Sequence, residues 1–188
     1  MSFAPEWPLV TERLELRPFR DDDFAAMYAM HSDEHVVQWL YNDARNADEV
    51  RDLLARKIAG AALAEEGEWL SCAVVRRDDD SVVGDVGLHW VSKEHRCGEI
   101  GFIVDPEHQG HGYATEAAAA LLPFAFDGVG LHRVIGRTEA RNTGSARVLE
   151  KLGMRREAHL VENEWVKGEW QSELVYALLE KEWRSTTR

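Results

Sequence analysis

The 188-residue sequence predicts one α/β domain, spanning 1–188, with a sheet that is antiparallel early and mixed later. Three observations predict it. Runs that alternate apolar and polar residues recur with turn chemistry between them, the period of half-buried strands. Two longer stretches carry apolar residues at helical spacing. A β-type run from Glu99 to Val104 also enters a glycine-spaced loop and then an Ala-rich helix. The 45% hydrophobic content suffices for a sizeable core in a chain of this length.

The elements follow in order. Leu9 to Phe19 reads as a first strand, because Leu14 and Leu16 alternate with Arg13, Glu15 and Arg17. Asp21 to Asp23 can cap a helix reaching about His31. Asn46 to Glu66 reads as a second helix, with Val50, Leu53, Leu54, Ile58 and Ala61 on one stripe. Trp69–Arg76, Val82–Trp90 and Cys97–Val104 form an expected antiparallel meander, the first two joined by the charged turn Arg77-Asp78-Asp79-Asp80. Tyr113 to Phe126 is helical, and Pro123 should kink or end it. Arg133–Glu139 is a strand, and Ser145–Lys151 is a short helix that Gly153 can close. Two last strands, about Arg156–Trp165 and Trp170–Leu179, meet at a Lys167-Gly168 turn.

Composition excludes several classes. A formal charge of −12, from 34 acidic against 22 basic residues, argues against a broad nucleic-acid surface. The acidic excess suits a cationic or amine-bearing substrate, and equally suits plain solubility. A polyanionic cofactor would then need a local basic patch. Arg133, Arg137, Arg141, Arg147 and Lys151 could supply it. No apolar run approaches the roughly 20 residues of a membrane span, and the N-terminus lacks the pattern of a signal peptide. Two cysteines, Cys72 and Cys97, form no disulfide framework, so a reducing cytoplasm is expected.

The loop Gln109-Gly110-His111-Gly112-Tyr113-Ala114 carries the chemistry. Before a helix N-terminus it leaves several backbone N–H groups aimed at one point, which a pyrophosphate satisfies well. A dinucleotide fingerprint fits less well. Thr115 stands where the third glycine belongs, and the turn from Val104 to Gly110 is too long. Under that reading Glu139 would imitate the ribose-binding acid.

A second segment, Arg141-Asn142-Thr143-Gly144-Ser145 followed by ARVLEKLGMRREA, comes directly after the strand HRVIGRTEA. The succession of strand, Q-x-x-G-x-A loop, helix, strand, N-x-x-S, short helix and LGM resembles the GNAT superfamily of acetyl-CoA-dependent N-acetyltransferases. More narrowly, TERLELRPF, IGFIVDPEHQGHGYATEA and the closing EKEW resemble the RimJ/RimL-type branch, which acetylates protein N-termini. The resemblance spans nearly the whole chain. It implies a mixed, mostly antiparallel sheet of about seven strands flanked by helices. It also implies acetyl-CoA as co-substrate with no metal, and a homodimer as an open assembly state.

Site residues follow from the resemblance. Gln109, Gly110, His111, Gly112, Tyr113 and Ala114 would form the pyrophosphate loop, the glycines permitting positive φ and close approach. Ile103 and Val104 would pair their backbone with the pantetheine arm like an added strand, where an N–H could hold the developing oxyanion. Asn142 would bond the pantetheine amide, with Ser145 near the sulfur. Glu164 would serve as base, through water, and Ser145 as proton donor to the departing thiolate. Glu99 is the alternative base. Members of the family carry an acid where this chain has Ser172, so no orienting role is assigned there.

The acceptor must be a neutral amine before it attacks. At pH 7 an α-amine of pKa about 8 loses roughly 1 kcal/mol to protonation, and a lysine near 10.4 about 4.6 kcal/mol. A modest base therefore serves an α-amine, and a protein N-terminus is the first expectation. A small-molecule amine or aminoglycoside is the second. A non-catalytic acetyl-CoA-binding module is the competing class. Trp39, in Trp39-Leu40-Tyr41 between the helices, lies where acceptor-binding segments of this fold sit. His31 and His35 share a helical face at i, i+4 but lack the HExxH order and a third ligand. Cys97 near His95 reads as a strand residue.

Overall fold

Among the described residues eight strands form: β1 (Leu9–Val10), β2 (Leu14–Arg17), β3 (Trp69–Arg76), β4 (Val82–Ser92), β5 (Cys97–Val104), β6 (Arg133–Glu139), β7 (Arg155–Val166) and β8 (Glu169–Leu179). Six helices accompany them: α1 (Phe24–Ser32), α2 (Glu34–Val37), α3 (Ala47–Ala59), α4 (Tyr113–Pro123), α5 (Thr143–Lys151) and α6 (Glu180–Thr186). This computed structural model describes residues 2–186; Met1, Thr187 and Arg188 of the expected 1–188 domain lie outside the described residues. No helix among the described residues is long and apolar enough to cross a membrane.

The strands join one sheet in the order β1-β2-β3-β4-β5-β6-β8-β7, so β8 inserts between β6 and β7. Every neighbouring pair is antiparallel except β5 and β6. Alternation along β3, β4 and β5 splits the core between the two faces. Leu70, Cys72, Val74, Val86, Leu88, Ile100 and α4 residues such as Ala117 and Leu121 fill the larger cluster. Ala73 and Val75 meet Phe19, Met27, Met30, Val50 and Leu54 from the α1–α3 side.

Local chemistry revises several expected boundaries. The run Leu9–Phe19 is two strands rather than one, which raises the expected seven strands to eight. Thr11 N–H donates to the Leu14 carbonyl (2.9 Å), and the chain folds back with Leu9 opposite Leu16. The 46–66 helix ends at Ala59 because Gly60 closes it, its N–H donating to the Arg56 and Lys57 carbonyls. Leu63 then pairs with Phe3. Asp21–Asp23 form a 3₁₀ turn, and the Asp23 carboxylate turns to Arg17 (both contacts 2.8 Å) and to Arg20 N–H rather than capping α1. Pro123 ends α4, and the chain continues as one π turn over Phe124–Gly128.

Candidate active site

The site begins where the β5–β6 ladder stops. Parallel pairing covers only Cys97, Gly98 and Glu99 against Arg133, Val134 and Ile135. Beyond that, β5 pairs with β4 alone and β6 with β8 alone, so the two strands diverge around an open slot. Asp105 N–H donates to the Val83 carbonyl (3.0 Å), which fixes the antiparallel alternation. Ile103, opposite Asp85, therefore turns its backbone toward β4, while Phe102 and Val104 turn theirs toward the slot. Ile103, expected to offer its backbone to the slot, thus offers it to β4, and its side chain packs against the α1–α3 cluster; Phe102 is the neighbour whose backbone faces the slot.

The glycine loop caps one end of this slot. Gly110 and Gly112 sit at φ +81° and +84°, which only glycine adopts freely. The N–H groups from Gly110 to Ala114 take no backbone acceptor among the described residues, and α4 starts at Tyr113. Arg13 clamps the loop from outside. It pairs with Glu116 (2.6 Å), donates to the His111 carbonyl (2.9 Å) and lies over the Tyr113 ring. Burial pushes the Glu116 carboxyl up, but bonds from Thr11 and Arg13 outweigh it and hold its pKa low. Gln109 folds its amide onto the Val104 carbonyl (3.1 Å).

Of the five expected cations, Arg133 is tied to Glu157, Arg137 to Glu99, and Arg141 to Glu139 and Glu169. Arg147 and Lys151 instead line the cavity and carry no ion pair among the described residues. Two helix N-termini, α4 and α5, thus meet one cavity with two uncommitted cations. Asn142 caps α5, its Oδ1 accepting from Ser145 N–H (3.1 Å), which leaves the Asn142 amide nitrogen available to an acceptor.

The cavity is about 780 Å³. Glu99, Ile103, Val104, Gln109, Gly110, Gly112, Tyr113, Ala114, Asn142, Ser145 and Trp39 all line it. The His111 ring does not; it stacks on Tyr113 with centroids 5.6 Å apart. Glu164 lies apart, in a side chamber of about 140 Å³ that shares Trp39, Leu40, Glu99, Arg137 and Thr138 with the main cavity. That chamber holds four carboxylates: Glu99, Glu139, Glu164 and Glu173.

A connected network crosses the chamber. Arg137 grips both Glu99 oxygens (3.1 and 3.0 Å) and stands 3.7 Å from Glu173. The Tyr41 hydroxyl donates to Glu164 (2.7 Å) and lies 3.5 Å from Glu173. Burial raises the Glu173 pKa; Arg137 opposes this, and the charges of Glu164 and Glu99 add to it. The Tyr41 ring is exposed but its hydroxyl enters the chamber, where burial and then Glu164 raise its pKa. Lys167, in the β7–β8 turn, donates to the Val37 carbonyl (2.6 Å) and fastens that turn to the segment carrying Trp39 and Tyr41. The guanidinium of Arg141 lies over the Trp39 ring.

Sequence reading missed Glu173 and Tyr41. Glu173 is one glutamate in an alternating strand, and only its register opposite Glu139 places it beside Arg137. The expected His31–His35 face does not form, because Asp33 ends α1 and a separate helix, α2, begins at Glu34. Among the described residues no group of three or more His, Cys, Asp or Glu is placed to hold a metal ion. Burial pushes the Cys97 thiol up, which does not suit a nucleophile.

A diverging parallel strand pair, a run of amides without backbone acceptors at one helix N-terminus and an asparagine-capped second helix open onto one cavity. Comparison with known proteins gives the class. The Acetyltransferase (GNAT) domain family matches residues 13–155, and the chain belongs to that family. It is an acetyl-CoA-dependent N-acetyltransferase. It is 33% identical over 175 residues to the uncharacterized N-acetyltransferase YnaD of Bacillus subtilis, covering 93% of this chain and 98% of that one. The crystal structure of a GNAT-family acetyltransferase from Bacillus anthracis superposes with a TM-score of 0.83 at 31% identity, covering 97% of this chain and all of that one. The spermidine N-acetyltransferase of Vibrio cholerae, solved with CoA and spermine, shares the fold: TM-score 0.78, 22% identity, 93% of this chain and 99% of that one.

Proposed function

We propose that the chain acetylates a primary amine in the cytoplasm, first of all the α-amine of a peptide or protein N-terminus. The observation that carries this reading is the junction at Glu99, where the unpaired β5 edge meets a carboxylate-lined chamber. The β5 side offers a backbone track for an extended pantetheine arm, and the chamber attracts an ammonium and can take its proton.

The pyrophosphate rests on the amides from Gly110 to Ala114, with Arg147 and Lys151 supplying positive charge. Phe102 and Val104 offer backbone groups along the slot, and the Asn142 amide nitrogen meets a pantetheine carbonyl. The neutral amine attacks the thioester carbonyl carbon. The C–N bond forms, the C–S bond breaks, and Ser145 Oγ–H passes a proton to the thiolate while taking one from water. Glu164 is the final carboxylate to receive the amine proton, through an intervening group, and no covalent enzyme intermediate arises.

Four carboxylates in one small chamber favour a second reading, an acceptor that carries a further cationic group, such as a polyamine. Thiol release from acetyl-CoA, measured with N-terminal peptides, polyamines and aminoglycosides, separates these readings. Acceleration by unblocked peptides and none by N-blocked peptides containing lysine supports the first. Acceleration by polyamines alone supports the second. CoA binding with no acceleration by any amine refutes both in favour of a binding module.

A further inference from the structure

We infer that Glu173 takes the proton from the attacking amine and passes it through the Tyr41 hydroxyl to Glu164 at the outer end of the chamber. This rests on the acetyl-transfer reading and gives its base a route to solvent.

Register places the participants on one face. Glu139 stands opposite Glu173, Arg137 opposite Val175, and Glu164 opposite Gln171, so their side chains project to the same side of the sheet. Glu99 joins them through Arg137 from β5, and Tyr41 comes from the loop above. The order across the strands is Glu99, Arg137, Glu173, Tyr41, Glu164. It starts in the main cavity and ends at a half-buried glutamate.

Within this row the carboxylates differ in what already holds them. Both Glu99 oxygens are engaged by the Arg137 fork, so Glu99 anchors the arginine. Glu164 Oε2 already accepts the Tyr41 hydroxyl, on the far side of Glu173 from the main cavity. Glu173 is 7% exposed, with its nearest cation at 3.7 Å and the Tyr41 oxygen at 3.5 Å, too far for a strong bond from either. A buried, loosely held carboxylate beside the charges of Glu164 and Glu99 is poised to gain a proton.

The steps balance. As the amine nitrogen bonds the acetyl carbon, its N–H bond breaks and the proton goes to Glu173 Oε2. The Glu173 O–H then donates to the Tyr41 oxygen while the Tyr41 O–H proton passes to Glu164 Oε2. Tyr41 stays neutral throughout, as its raised pKa requires. Glu164 releases the proton to water, and Glu173 returns as a carboxylate.

The test compares wild type, Glu173→Gln, Glu173→Asp and Tyr41→Phe, with an amine that wild type accepts. The readouts are kcat and kcat/KM from about pH 5 to about pH 10, acetyl-CoA affinity and melting temperature. Glu173→Gln should lower kcat about 100-fold or more and remove the lower acid limb, leaving only the ionisation of the amine. Glu173→Asp should recover part of the rate and restore the limb. Tyr41→Phe should lower kcat and keep the limb, and acetyl-CoA affinity should stay at the wild-type value in all three. A Glu173→Gln rate that falls with the limb unmoved, or does not fall, overturns the assignment. A wild-type rate in Tyr41→Phe overturns the relay. Wild type that binds acetyl-CoA and acetylates no amine overturns the transfer reading itself, and the relay with it.

Discussion

Arg137 holds both oxygens of Glu99 across the opening between β5 and β6, with nitrogen–oxygen distances of 3.1 and 3.0 Å. The ladder between these strands ends at Glu99 and Ile135, so the ion pair continues their connection where backbone bonds have stopped. Charge thereby fixes the width of the slot at its inner end. Glu99 keeps only 12% of its side-chain surface, whereas Arg137 keeps 41%. Arg137→Met would leave Glu99 and Glu173 without their shared cation. The expected loss is about 1–2 kcal/mol, reduced from the cost of a fully buried pair by the exposure of the arginine. Thermal melts should show a drop of several degrees at pH 7, narrowing as acid neutralises the two carboxylates. An equal drop at both pH values would mean that packing, not charge, was lost.

Gly112 tests the anion cradle. A Cβ there would meet only the Arg13 Nη2 at 3.6 Å, so the fold has room for a side chain. The backbone at φ +84° does not accommodate a β-branched residue. Gly112→Val should therefore weaken acetyl-CoA at least about 10-fold in calorimetry while the chain still folds cooperatively. Wild-type affinity would refute the loop assignment.

Arg147 and Lys151 give a separate handle on the same ligand. Both line the cavity without ion pairs among the described residues, so replacing them with alanine removes positive charge from the site and leaves the ion pairs around it intact. The double variant should raise the KM for acetyl-CoA about 10-fold at low salt and leave kcat nearly unchanged. Raising ionic strength should shrink the difference, because exposed charges are screened within about 10 Å at 0.1 M. A salt-independent difference would argue for a shape effect.

Much of this site was readable from local sequence. β3, β5 and β6 begin and end where alternation placed them, and the glycine loop and Asn142 stand where motif spacing put them. What escaped depends on contacts between distant residues. The turn inside Leu9–Phe19 leaves the alternation of leucines intact on both sides, so pattern alone cannot see it. The insertion of β8 between β6 and β7 is a matter of topology, and it alone brings Glu173 beside Arg137. The α2 segment is four residues long, too short for a periodic signal, yet it delivers Trp39 and Tyr41 to the chamber.

His31 predicts how stability responds to acid. It is 3% exposed and packs beneath α3, near the buried Lys57–Asp85 pair. Arg45 donates to its Nδ1 (3.2 Å), so the neutral ring carries its proton on Nε2, which is buried without a partner. Burial lowers its pKa to about 4; Asp85 opposes this, while Lys57 and Arg45 add to it. In the unfolded chain the same imidazole titrates near 6.5. The unfolded state therefore takes up the proton first as pH falls. The stabilisation is complete above about pH 6.5 and declines through the interval down to about 4, at up to about 1.4 kcal/mol per pH unit. The Arg17–Asp23 pair acts in another window, because its depressed carboxyl loses stability only below the usual carboxylate range. Urea unfolding of wild type and His31→Leu across this interval isolates the term. The variant should show the shallower slope between about pH 6.5 and about pH 4.5, whatever its absolute stability. Parallel curves would mean that the His31 ring gains its proton in the folded state as readily as in the unfolded one.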